Sequence, residues 1–186
     1  MKCLNALQDP NQPIVIPSVA ASPTEVDYEG ELAVVLKEDC KNVSVQDALK
    51  YVAGYTCAND VSARLWQGKK GGGQTCRGKS FDTFCPIGPE LVTPEEIPDP
   101  QSIRIATYLN GQRMQESSTR DMLFSVAQLI SELSRDMTLV RGTLVLTGTP
   151  EGVGFRRHPP MFLTPGDVVE IEVERIERLV NPVVAT

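Results

Sequence analysis

The sequence has very little histidine and no paired cysteines. His158 is the single histidine among 186 residues, and the five cysteines include no CxxC pair. Histidine is the usual proton-exchanging side chain near neutral pH, so catalysis by this chain would depend mainly on other groups or on a metal ion. An odd number of cysteines without paired spacing argues against a disulfide framework or a cysteine zinc site. We therefore expect free thiols in a reducing compartment, cytoplasmic or mitochondrial rather than secreted.

Long hydrophobic runs and excess positive charge are also missing. No apolar stretch approaches the length of a membrane span, and the N-terminus lacks the hydrophobic region of a signal peptide. The net charge of −6 argues against a nucleic-acid partner. The composition, 41% hydrophobic and 23% charged, is typical of a globular protein. We predict one domain over residues 1–186, with an irregular N-terminal arm over 1–26, where four prolines occur.

Strands predominate in the predicted secondary structure. Alternating or continuous apolar runs predict strands near 14–16, 29–36, 54–58, 103–108, 143–146 and 168–173. Asn110-Gly111 between two apolar segments is a strong hairpin signal. Helical spacing predicts helices over 45–53 and about 120–136, the second capped by Ser118, and residues 81–92 are expected to be irregular and buried. The fold class is therefore α+β, mainly β, without regular βαβ alternation.

Two glutamates one residue apart begin the strand near 29–36. Residues i and i+2 of a strand lie on the same face, so Asp27, Glu29 and Glu31 are expected to point one way. Carboxylates crowded on one face repel each other unless protons or a cation hold them. This arrangement indicates a site for a hard metal ion with oxygen ligands.

One sequence match is rejected on context. Residues 73–80 fit the phosphate-binding expression GxxxxGK[ST] letter for letter. That site requires a buried strand before the loop and a helix after it. A glycine- and lysine-rich segment precedes the match, and Pro86 would stop a following helix within two turns. We therefore do not predict a nucleotide site.

Four separated segments resemble the fumarylacetoacetate hydrolase family, in its order and at its spacing. They are residues 27–32, 59–64, 78–83 and 146–154. The resemblance extends from about residue 14 to the C-terminus and looks closest to the eukaryotic branch that includes oxaloacetate tautomerases. It implies a mixed β-roll with a few short helices, usually a homodimer, with Mg²⁺ or a similar ion such as Mn²⁺ or Ca²⁺.

The resemblance also implies site residues. It makes Glu29, Glu31 and Asp60 the metal ligands and Lys79 the catalytic lysine that binds substrate oxygens. Residues implied to bind substrate are Arg64, Gln67, Thr83 and Thr149, the last through its hydroxyl and backbone N–H. Simpler interpretations stay open for several of these positions: the glutamates as a solvated strand end, Asp60 as a helix cap, Lys79 as a surface lysine and residues 147–150 as a tight turn.

The family's hydrolytic histidine, from a Tyr-x-x-His segment before the glutamate strand, has no counterpart in residues 1–28. We expect the family's usual N-terminal portion to be missing or replaced. His158 is the one candidate substitute, although a surface loop histidine is the simpler interpretation.

Three functions remain open. The first is a metal-dependent enzyme that acts on a small 2-oxo or 1,3-dicarbonyl acid through a metal-stabilised enolate, as a tautomerase, decarboxylase or lyase. The second is a C–C hydrolase of the fumarylacetoacetate or acylpyruvate type. The third is a binding or dimerisation module without catalysis.

Overall fold

The computed structural model describes all 186 residues and is built mainly of strands. The twelve strands are β1 (Leu7–Gln8), β2 (Ile14–Ile16), β3 (Val26–Asp27), β4 (Gly30–Leu36), β5 (Val52–Asn59), β6 (Ser62–Ala63), β7 (Cys85–Val92), β8 (Arg104–Leu109), β9 (Gln112–Ser118), β10 (Leu144–Leu146), β11 (Val168–Val173) and β12 (Leu179–Ala185). The α-helices are α1 (Ser18–Ala21), α2 (Arg64–Gln67), α3 (Thr75–Gly78) and α4 (Val126–Leu133). Short 3-10 helices cover Leu4–Ala6, Ala48–Tyr51, Thr119–Asp121 and Gly154–Arg156. The predicted α+β, mainly β class is confirmed.

Ten strands form two five-stranded sheets around one hydrophobic core. The strand orders are β1-β7-β5-β4-β10 and β2-β12-β11-β8-β9, and β3 pairs with β6 alone. Two strand pairs are parallel, β1 with β7 and β2 with β12, and every other pair is antiparallel. The N-terminal segment therefore supplies one edge strand to each sheet. None of the helices has the length and apolar character needed to cross a membrane.

The two sheets pack closely at Gly30, the first residue of β4. A Cβ atom there would clash with Thr107 Oγ1 and lie 3.2 Å from Ile171 Cδ1, both on the opposite sheet. Glycine is therefore the residue that fits without displacing β8. Because Gly30 lies between Glu29 and Glu31, this contact also fixes where the two glutamates emerge from the sheet.

The β8–β9 hairpin and the strands β2 and β11 form as predicted. The β8–β9 hairpin turns at Asn110 and Gly111, which both have positive φ values, 52° and 76°. Residues 14–16 and 168–173 form the expected strands β2 and β11. Each of these elements has a local signal, a turn pair, a short apolar run or an alternation, that needs no distant partner to be recognised.

Three secondary-structure predictions were wrong in extent or type. The helix over 45–53 is a single 3-10 turn, Ala48–Tyr51, because Val52 and the following residues pair with β4 instead. Residues 85–92 form strand β7 despite their prolines, since β5 supplies the partner. The second helix begins only at Val126, where Ser125 and Gln128 form a capping box, while Ser118 caps a separate 3-10 turn.

Candidate functional site

Three buried carboxylates meet where β4 begins and β5 ends. One oxygen from each of Glu29, Glu31 and Asp60 lies within 4.8 Å of the others. Strand alternation places both glutamates on one face. The antiparallel pairing of Gly30 with Asn59 then brings Asp60 beside Glu29, and the Asp60 backbone N–H donates to the Glu29 carbonyl at 2.8 Å. The structure thus brings together the three residues expected to bind metal.

Lys79 contacts two of these carboxylates. Its Nζ donates to Glu29 Oε2 at 2.7 Å and also to Asp60 Oδ2. Burial acts to lower the pKa of Lys79, but the negative charges of Asp60 and Glu29 outweigh it, so the pKa is raised above its usual value. Lys79 therefore stays protonated and supplies a fixed positive charge at the site.

The same lysine belongs to the rejected phosphate-binding match over residues 73–80. No strand lies directly before Gly73, and α3 (Thr75–Gly78) falls inside the match rather than after it. The Lys79 ammonium is directed at carboxylates, whose charge repels a phosphate. The geometry agrees with the rejection of a nucleotide site.

A second lysine at the site was missed by the sequence analysis. Lys2 Nζ donates to Asp60 Oδ1 at 2.6 Å and to the Val61 carbonyl at 3.1 Å, with 8% of its side chain exposed. Burial lowers the pKa of Lys2, and the attraction of Asp60 opposes part of that effect. No local pattern could have revealed this pairing, because the two residues are 58 positions apart.

Arg64 joins the site to a neighbouring loop. Its Nη1 donates to Glu29 Oε1 at 2.6 Å and to Gln67 Oε1 at 3.1 Å, while its Nε donates to Asp27 Oδ2 at 2.9 Å. Asp27 is fully buried and also accepts from the Gly154 backbone N–H at 2.8 Å. Asp27 therefore holds Arg64 and the 152–157 loop in place and does not belong to the carboxylate trio.

Glu31 is held by residues 147–150, the glycine loop, on the other side of the trio. Its Oε2 accepts from the Gly148 backbone N–H at 2.7 Å. Burial, with smaller contributions from Asp60 and Glu29, raises the pKa of Glu31 to about 8. The ionised form of Glu31 is therefore disfavoured without a cation nearby. The three converging carboxylates form a donor set that suits a hard divalent cation such as Mg²⁺, Mn²⁺ or Ca²⁺.

The other expected site residues occupy different surroundings. The Thr149 hydroxyl donates to the Gly30 carbonyl at 3.0 Å, next to the trio. Thr83 Oγ1 accepts from the Val15 backbone N–H at 2.8 Å and so connects β2 with the 81–84 segment. His158 is exposed, and no hydrogen bond or ion pair links it to the trio. The structure thus groups Arg64, Gln67 and Thr149 around the carboxylates, but not Thr83 or His158.

A cavity of about 270 Å³ adjoins the glycine loop. It is lined by residues 147–150, by Leu32 and Ile105, and by the apolar segment Met122–Phe124, but by none of the three carboxylates. Leu32 and Glu31 are neighbours on β4 and point to opposite faces. The cavity therefore shares the 147–150 loop with the candidate metal centre, although no carboxylate of the trio lines it.

Comparison with known sequences identifies relatives over nearly the whole chain. The family described as fumarylacetoacetate (FAA) hydrolase C-terminal matches residues 1–184. A Xenopus laevis protein named oxaloacetate tautomerase fahd2, mitochondrial, is 47% identical over 183 residues, covering 98% of this chain and 56% of that protein. A Sphingomonas protein named 2,4-didehydro-3-deoxy-L-rhamnonate hydrolase is 48% identical over 177 residues, covering 95% and 61%. The chain thus spans little more than half the length of these relatives.

Solved structures share the fold. Fumarylacetoacetate hydrolase from Exiguobacterium antarcticum superimposes with a TM-score of 0.93 at 40% identity, covering 100% of this chain and 65% of that one. Maleylpyruvate hydrolase from Sphingobium sp. SYK-6, in complex with manganese(II) and pyruvate, gives a TM-score of 0.86 at 32% identity, covering 99% and 63%. The sequence match and the shared mixed-sheet fold agree, and the chain belongs to the fumarylacetoacetate hydrolase family.

Proposed function

We propose that this chain is the catalytic part of a divalent-metal-dependent enzyme that acts on a small 2-oxo or 1,3-dicarbonyl acid. The reaction is of the tautomerase, decarboxylase or lyase type. The observation that carries the proposal is the buried trio of Glu29, Glu31 and Asp60 with the Lys79 ammonium bonded to two of its members. The maleylpyruvate hydrolase neighbour, solved with manganese(II) and pyruvate, supports the same chemical class.

Each residue has a definite role in this proposal. Glu29, Glu31 and Asp60 hold the cation, Mg²⁺ or a similar ion such as Mn²⁺ or Ca²⁺. When bound, the cation supplies Lewis acidity that stabilises the negative charge of an enolate. Lys79 adds a second positive charge where that oxyanion develops. Arg64 donates to Glu29 at 2.6 Å and presents its guanidinium, with Gln67, to the substrate.

A C–C hydrolase is the second candidate. The Sphingomonas relative is named as a hydrolase and is as similar to this chain as the frog tautomerase. Hydrolysis needs a base that activates water, and His158 is exposed and has no bond to the trio. The position of His158 therefore favours the enolate chemistry that does not need a histidine. A module without catalysis is the third candidate, and it predicts no turnover.

Cation binding is the primary test. We expect Mn²⁺ to bind the wild-type chain in isothermal titration calorimetry and to bind E29Q and E31Q at least about tenfold more weakly, since each variant loses a charged ligand. E38Q is the matched control, because Glu38 is exposed and makes no side-chain hydrogen bond. Equal Mn²⁺ affinity in all four proteins would refute the metal centre.

The reaction type is tested with oxaloacetate. We expect the wild-type chain to interconvert the keto and enol forms of oxaloacetate and to lose this activity when a chelator removes the cation. The H158A variant should keep most of the activity. Loss of activity in H158A with an unchanged fold would favour the hydrolase. A chain that binds Mn²⁺ yet turns over neither oxaloacetate nor an acylpyruvate would support the third candidate, a binding or dimerisation module without catalysis.

We also propose a homodimer in a cytoplasmic or mitochondrial compartment. The frog relative is named as mitochondrial. Leu123 and Phe124, which are 93% and 60% exposed, offer an apolar surface that a second copy could cover. Light scattering coupled to gel filtration measures the mass directly, and a monomer at all concentrations would contradict the dimer.

A further inference from the structure

A buried glutamine lies directly behind the carboxylate trio. Gln115, on β9, is 2% exposed, and its amide has partners at both ends. Its Oε1 accepts from the Gly30 backbone N–H at 3.0 Å. Its Nε2 donates to Thr149 Oγ1 and to the Pro150 carbonyl, both at 2.8 Å. One side chain therefore connects the strand that carries the two glutamates with the glycine loop.

These bonds close into a ring around one residue, Gly30. The Thr149 hydroxyl donates to the Gly30 carbonyl at 3.0 Å, so Gly30, Gln115 and Thr149 are bonded in a cycle. The same loop places the Gly148 N–H on Glu31 at 2.7 Å. Rotating the Gln115 amide or moving the loop breaks at least two of these bonds, which is costly for buried polar groups.

The ring decides what Thr149 can offer to a ligand. A hydroxyl has a single hydrogen, and that of Thr149 is given to the Gly30 carbonyl. The backbone N–H of Thr149 donates to no group of the protein. The free donor at this position is therefore the main chain and not the side chain.

We propose that Gln115 is a positioning residue: acting through Thr149, it holds the glycine loop so that the Thr149 backbone N–H donates to a carboxylate of the bound oxo acid. This inference rests on the proposed function, because it takes the ligand to be an anionic acid at the trio. It assigns the Thr149 hydroxyl a structural task.

A double-mutant cycle tests the proposal, with oxalate as the probe on Mn²⁺-loaded protein. We expect Q115M and T149V each to weaken oxalate binding about tenfold, the loss of one well-placed hydrogen bond. The double variant should bind about as weakly as either single one, because either change alone opens the ring. T149S keeps the hydroxyl, and Q112M changes an exposed glutamine of the same strand, so both should stay within about threefold of wild type.

Isothermal titration calorimetry of oxalate binding distinguishes this proposal from the alternatives. Additive losses would mean that the Thr149 hydroxyl contacts the ligand independently of Gln115, and unchanged oxalate affinity in Q115M would mean that Gln115 positions nothing; either result overturns the proposal. If Q115M does not fold, Q115E replaces it, because it keeps the shape and an acceptor for Gly30 while losing both donor hydrogens. A wild-type chain that binds neither Mn²⁺ nor oxalate would instead refute the proposed function, and the positioning role with it.

Discussion

Asp60 shows how charge is balanced within the candidate site. Its two oxygens accept from two different lysines, Lys2 and Lys79. Arg64 donates hydrogen bonds to both Glu29 and Asp27. These cations counter the repulsion among the buried carboxylates, which would otherwise destabilise the fold. They also compete with a metal ion for the same oxygens.

The competition predicts an unusual result for K2M. Removing a positive charge that contacts Asp60 should strengthen Mn²⁺ binding, by about tenfold, because the cation no longer faces that repulsion. Calorimetric titration with Mn²⁺ measures the change. K41M is the control, since Lys41 is exposed and makes no ion pair. Weaker binding in K2M would show that Lys2 chiefly orients Asp60.

Glu31 should make the cation-free protein less stable as the pH rises. Its pKa is 4.5 in the unfolded chain and about 8 in the folded protein, so between these values the folded state holds the extra proton. Stability then falls with rising pH across that window. E31Q, a neutral mimic of the protonated acid, should remove this part of the slope. Urea unfolding in a chelator measures it, and parallel pH profiles for both proteins would contradict the prediction.

Strand β4 owes its position to close packing as well as pairing. Gly30 leaves room for Thr107 Oγ1, which is buried and has no hydrogen-bond partner. We predict that G30A destabilises the protein by about 1–3 kcal/mol through overcrowding. T107A removes the obstructing atom and should restore part of the loss in the double variant. Urea denaturation of the four proteins tests this, and additive losses would show that the crowding lies elsewhere.

The elements differ in how far their sequence determines them. Asn110-Gly111 needs left-handed backbone at two adjacent residues, and the hairpin follows from that local requirement. Val52 and Ala53 have helical spacing with the residues before them, yet they extend β5 because Val52 and Gly54 pair with Leu36 and Val35 of β4, with a β-bulge between the two pairs. Tertiary pairing overrides a short amphipathic pattern, which stabilises a helix only weakly by itself.

At the scale of the whole molecule, the N-terminal segment is part of the fold. It was predicted as an irregular arm over 1–26, and it contributes β1 and β2 to the edges of both sheets. Asn181 ties it down further, donating to the carbonyls of Asp9 and Gln12 at 3.0 and 2.8 Å. The same segment delivers Lys2 to the site.

Burial divides the five cysteines into two classes. Burial raises the pKa of Cys57 to about 12 and that of Cys85 to about 11, and it also raises the pKa of Cys40. Thiolate is the reactive form, so we expect these three to resist alkylation in the native protein, while Cys3 and Cys76 react. Mass spectrometry after brief iodoacetamide treatment counts the labels, and urea should expose all five. Rapid native labelling of Cys57 would contradict the packed core.

The sequence by itself determined the fold class, the family resemblance and the acidic trio. The fold class and the paired glutamates depend on short-range spacing, two glutamates on one strand face and a turn pair between strands, whereas Asp60 joined them through the family resemblance. Only the tertiary structure decided the partners, since Lys2 and Gln115 reach the site from segments whose distance along the chain carries no periodic signal. The pairing of β4 with β5 and its close packing on β8 bring those segments together, and no local pattern encodes such long-range contacts.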